Sequence, residues 1–201
     1  MSVLSSGKKI FFTVEDNLIP NFFLLLQQGF KLKVLVGSSI SSLLCDQLSV
    51  SPEYLEERIQ TIFLDGKPID DVNSATVKPG STLALSAALP GLVGATLRKG
   101  SYYAPLRSQI SHRETDGTQF LHEGIVSLKL FNLLLKELGP KFLKQGLWIN
   151  GRELSDFFKR QPDDFWAGCK VIEVDGQKVA PERLLEITWQ EEYFFLQVLA
   201  G

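Results

Sequence analysis

Two stretches decide how the first half of this chain reads: IFLDGKPIDD, residues 62–71, and STLALS, residues 81–86. In the first, a short apolar run ends at Asp65-Gly66, a dipeptide that favours tight reversal, and Ile69 returns to the core before Asp70 and Asp71. Pro79-Gly80 turns the chain again, and Leu83 and Leu85 alternate with Thr82 and Ala84, so residues 61–64 and 81–86 read as strands. Toward the N-terminus, residues 22–26 are rich in strand formers, Gln27, Gln28 and Gly29 can turn, and Phe30, Leu32, Val34 and Val36 alternate with Lys31 and Lys33. That pattern predicts a β-hairpin over 22–36 with one buried face. Between hairpin and strand, Ser39 can cap a helix carrying Ile40, Leu43, Leu44 and Leu48 on one stripe, with Cys45 beside it. Ser51, Pro52 and Glu53 open a second, shorter helix: a capping hydroxyl, a proline at the first helical position and an acid near the positive end.

This order of hairpin, helix, strand, turn and strand resembles the β-grasp fold of ubiquitin and of the small sulfur carriers of thiamine and molybdopterin synthesis. The resemblance covers about residues 22–95, within a β-grasp-like domain expected over residues 20–95, and is sharpest at the two stretches quoted above. It implies an α+β unit with an open sheet face suited to docking a protein. For the carriers it also implies a flexible glycine carboxylate that an adenylating enzyme activates. Pro90-Gly91-Leu92-Val93-Gly94 lies where such carriers have their glycine tail, so a carrier-type role would act through Gly91, Gly94 or Gly201. Gly91 and Gly94 are not adjacent and lie far from the end, so that role requires cleavage or use of Ala200-Gly201.

Residues 96–119 lose all periodicity and read as a connection containing glycine and arginine, and residues 120–201 read as a second, C-terminal α+β domain. There Val126, Leu128 and Leu130 alternate as a strand, and Leu133, Leu134, Leu135 and Leu138 form a helix that Gly139-Pro140 is expected to end. Asn150 with Glu153 has capping-box spacing ahead of Leu154, Phe157 and Phe158. Strands are expected at 171–174 and 194–199. Asp65-Gly66-Lys67, Asn150-Gly151-Arg152 and Asp175-Gly176-Gln177 share a form, and the first and third hint at a duplicated unit. Trp166, Trp189, Tyr193, Phe194 and Phe195 read as core of this second domain.

Composition narrows the function classes. Lys and Arg number 21 against 23 Asp and Glu, a net charge of −2, which argues against binding nucleic acid or an anionic membrane by bulk charge. Cys45 and Cys169 form no CxxC pair, so neither a disulfide scaffold nor a zinc cluster is expected, and a reducing cytoplasm fits. Lys8 and Lys9 precede an apolar run that Glu15 and Asp16 soon interrupt, too short for a signal-peptide core. The greasiest stretch, 18–26, contains Pro20 and Asn21 and is about half the ~20 residues a membrane span needs.

One segment breaks the charge balance. Residues 72–113 hold no acidic residue, while Lys78, Arg98, Lys99, Arg107 and Arg113 are basic and Tyr102 and Tyr103 sit among them. Arginine forks and glycine-exposed amides can hold a phosphate, a carboxylate or an acidic partner surface. Arg98, Lys99, Tyr102, Tyr103, Arg107 and Arg113 are therefore the candidate anion- or partner-binding residues. His112 and His122 match no metal-ligand spacing, Asp70-Asp71 and Asp163-Asp164 sit beside turns, and GxGxxG, GxxxxGK[ST] and GxSxG are all missing. No catalytic residue, metal or cofactor is assigned. The leading expectation is a non-catalytic ubiquitin-like protein-interaction module. The alternatives are a carrier acting through a glycine terminus, and a protein or enzyme holding a small anion at residues 90–113.

Overall fold

The computed structural model of the chain describes residues 4, 7–88, 91–100, 102, 120–189 and 192–201. Among these are ten strands: β1 Lys9–Val14, β2 Phe30–Val36, β3 Thr61–Leu64, β4 Lys67–Pro68, β5 Thr82–Ser86, β6 His122–Phe131, β7 Leu147–Asn150, β8 Cys169–Val174, β9 Gln177–Lys178 and β10 Tyr193–Ala200. The α-helices are α1 Phe23–Gln28, α2 Ile40–Ser42, α3 Pro52–Glu57, α4 Gly91–Leu97, α5 Leu133–Gln145, α6 Gly151–Lys159, α7 Asp163–Ala167 and α8 Pro181–Leu185. The fold is α+β. Its contacts divide the chain into two compact units, residues 31–134 and residues 1–30 with 135–201.

In the unit 31–134 the strand order is β4-β3-β5-β6-β2. β3 runs antiparallel to both β4 and β5, placing Ile62 opposite Leu85, and β5 runs parallel to β6, placing Leu83 opposite Leu128. Alternation decides which side chains go inward: Ile62, Leu64, Leu83, Leu85, Val126, Leu128 and Leu130 are all buried, together with Ile40, Leu43 and Leu44 of the helical stripe. That stripe is α2 continued by a π turn, Leu43–Gln47, and Ser39 caps it by accepting from the Ser42 amide at 3.1 Å. Ser51 likewise caps α3, with Pro52 at its first position.

The other unit orders its strands β7-β10-β1-β8-β9. β1 is parallel to β10, with Phe12 opposite Val198, and antiparallel to β8, with Phe12 opposite Ile172. Phe12, Phe22, Phe158 and Phe165 are nearly fully buried, and ring centroids 5.6 Å apart link Phe22 to Phe12 and to Phe165. Phe194 belongs to this core, while Trp166, Trp189, Tyr193 and Phe195 are half-buried.

Both units therefore carry the same ladder, a turn-linked antiparallel pair beside a parallel pair, and the likeness reaches single hydrogen bonds. Asp65 and Asp175 adopt φ near +50° ahead of glycines at +78° and +80°. Asp65 N–H donates to Thr82 O at 2.9 Å while its carboxylate accepts from Thr82 N–H at 2.7 Å. Asp175 N–H donates to Lys9 O at 2.8 Å while its carboxylate accepts from Lys9 N–H at 2.9 Å. In one unit the strand so engaged follows the turn along the chain. In the other it is supplied by the first strand of the sequence.

Several expectations give way here. The hairpin over 22–36 is absent: Asp16–Phe22 is a 3-10 turn and α1 follows, because Phe22, Leu25 and Leu26 bury one face at helical spacing, and Gly29 at φ +124° ends the helix. Within its unit β2 lies beside β6 and not beside a strand from residues 22–26, and residues 122–131, expected to open the C-terminal domain, pair with β5 instead. Gly139-Pro140 does not stop its helix, which runs on to Gln145. Gly139 is an approach point, since a Cβ there would come within 2.8 Å of the Phe23 ring. Asn150-Gly151 is no turn: Asn150 caps α6 by accepting from the Arg152 amide at 2.9 Å.

Candidate functional site

The segment after β5 was expected to be a loop, yet residues 91–97 form α4. Gly91 enters it at φ +76°, a conformation that glycine adopts without strain, and Gly94 is buried within it. α4 carries no charged side chain, and its Leu92 and Val93 are 69% and 70% exposed. Tyr102 is exposed as well.

Two residues beyond this helix, Lys99 anchors its C-terminal end. Its Nζ donates to Leu55 O at 2.7 Å, a carbonyl in the last turn of α3, and pairs with Glu56 at 3.2 Å. A cation at that helix end is favourable because the terminal carbonyls lack intrahelical donors. The Lys99 side chain is only 9% exposed, its backbone N–H donates to Gln60 O at 2.9 Å, and the next amide, Gly100 N–H, reaches Asp70 at 3.2 Å. Both the ammonium and these amides, the groups an anion site would use, are thus engaged within the fold. Arg98 lies exposed beside them. Tyr103, Arg107, His112 and Arg113 lie outside the described residues.

The glycines of the carrier reading are held too. Gly91 and Gly94 belong to α4. Gly201 N–H donates to Val14 O at 3.0 Å, and its carbonyl accepts from the Lys170 ammonium. His122 is exposed with Nδ1 3.0 Å from Phe120 O, and no group of three metal-ligating side chains occurs among the described residues. Burial pushes the Cys169 thiol up to about 11, and its Sγ donates to Phe165 O at 3.3 Å; burial likewise raises Cys45, with Asp46 adding to the shift. Neither thiol is poised as a nucleophile. Asp71 is held below the usual carboxylate range by the Asn73 amide and the Ser74 hydroxyl, which is turn chemistry, as the sequence implied.

Sequence reasoning missed one open feature of this region, the apolar surface of α4. The signal was present in GLVGATL, an uncharged run able to make two turns, but its two glycines read as loop. A scan against protein-family models, a search of curated proteins and a search of solved structures each gave no match to this chain. No helix among the described residues is long and apolar enough to cross a membrane.

Proposed function

We propose that this chain is a non-catalytic protein-interaction module, related in fold to the β-grasp proteins, that docks a partner through α4. The observation that carries this reading is the pair Leu92 and Val93, adjacent, largely exposed, and set on a helix fixed in place by Lys99. Isolated exposed apolar residues are ordinary, but neighbouring ones on an anchored, uncharged helix form the apolar centre that protein interfaces use. The surrounding sequence, without an acid from 72 to 113, favours a partner whose contact surface is apolar and rimmed by carboxylates. The helix-strand-turn-strand order over residues 40–86 supports the β-grasp relationship, as does the recurrence of the same strand ladder in both units.

The test is affinity capture from native lysate with the wild-type chain and with Leu92→Asp/Val93→Asp. A discrete partner retained by wild type and lost by the double variant, with melting unchanged, is expected. Equal recovery by both chains overturns the assignment of α4.

A further inference from the structure

Away from α4, the last three helices of the chain frame a cleft of about 430 Å³, a size suited to a small organic ligand. Its floor is aromatic: Phe158 and Trp166 line it with ring centroids 6.0 Å apart, and Trp189 packs on Phe158 at 5.6 Å. Pro181 and Leu185 of α8 form an apolar wall, and Asp163 and Glu182 stand at the edge. Neither carboxylate has a salt bridge among the described residues. Gln161 commits its NH₂ to Phe157 O at 3.0 Å, which leaves its amide oxygen as an acceptor at the cleft.

We propose that this cleft binds an organic cation, an ammonium carrying an apolar substituent. The polar lining, Lys159 and the amino ends of α7 and α8 apart, favours that chemistry. Two carboxylates, an amide oxygen and the carbonyl end of α6 all favour positive charge, and indole is the best aromatic partner for a cation. Lys159 is the opposing charge in the lining; it stands in the last turn of α6, where a lysine complements the helix's own carbonyls. The substituent rests on the apolar wall of Pro181 and Leu185. An anion would meet two carboxylates, and a purely apolar ligand would leave them unused.

The experiment titrates the full chain with phenethylammonium chloride, following tryptophan fluorescence and heat, with 2-phenylethanol as the neutral analogue. Saturable binding in the millimolar range is expected, about tenfold weaker for the alcohol and about tenfold weaker in Asp163→Asn/Glu182→Gln. Both substituted residues are exposed, so the variant stays folded, its melting temperature lowered only by the loss of an acid from the first turn of α7 and of α8. Equal affinity for the alcohol, unchanged affinity in the double variant, or no saturable signal into the tens of millimolar each overturns the proposal.

Discussion

Replacing Gly146 by alanine probes the packing that joins α5 to β7. Gly146 sits at φ +88°, and a Cβ placed there would overlap the Phe195 ring. Two separable costs arise. Holding an L-residue in the left-handed region costs about 1–2 kcal/mol, and forcing a methyl group into packed side chains costs about 1–3 kcal/mol. Together they give about 2–5 kcal/mol, a large share of the ~5–15 kcal/mol by which a domain is stable. The Phe195 ring has little freedom to move aside, because it packs on Trp148 at 5.4 Å and faces Phe11 at 6.2 Å. Urea unfolding followed by tryptophan fluorescence reads this unit specifically, since Trp148, Trp166 and Trp189 all lie within it. In a Phe195→Ala background the steric part should vanish and only the ~1–2 kcal/mol backbone part remain. A loss under about 1 kcal/mol for Gly146→Ala, or an equal loss in both backgrounds, would refute the reasoning.

Other consequences follow from single contacts. Lys99→Met keeps the stem but removes the ammonium from Leu55 O and Glu56; losing a charged hydrogen bond of this kind should cost about 1.5–3 kcal/mol and speed hydrogen exchange at the Lys99 amide. Asp65→Ala and Asp175→Ala each remove an acceptor from the first amide of the neighbouring strand and place alanine at φ near +50°, so each should cost about 1–3 kcal/mol, with faster exchange at Thr82 and Lys9 respectively. With the Cys169 thiol pushed up to about 11, roughly one in a thousand is ionised at pH 8, so alkylation by iodoacetamide should be slow and rise about tenfold per pH unit from 7 to 10. A rate already at plateau by pH 8 would contradict the burial given to that sulfur.

What the sequence made legible was local. Residues 61–64 and 81–86 alternate cleanly and are punctuated by Asp65-Gly66 and Pro79-Gly80, and they form β3 and β5. The caps Ser39, Ser51 and Asn150 also stand where short-range rules put them. What failed was whatever a distant partner decides. Ile10, Phe12 and Val14 alternate as a strand should, but β1 gains its parallel neighbour only from Tyr193–Ala200, and the run was read for targeting instead. Residues 22–26 contain strand formers, yet the aromatic core formed with Phe12 and Phe165 draws them into a helical turn. Gly139-Pro140 reads as a stop until the Phe23 ring beside it is known. For the site, Lys99 was picked out as a basic residue of an acid-free segment, but its purpose as the clamp of α4 depends on Leu55, 44 positions earlier. The aromatic cleft draws on residues from 158 to 185 and has no linear signature.

The most direct test of the central claim is photo-crosslinking from α4 in native lysate. Benzoylphenylalanine at position 92 should give a discrete adduct, of one added mass, that the same group at exposed Lys178 does not give. The same adducts at both positions, or none at 92, would contradict docking through this helix.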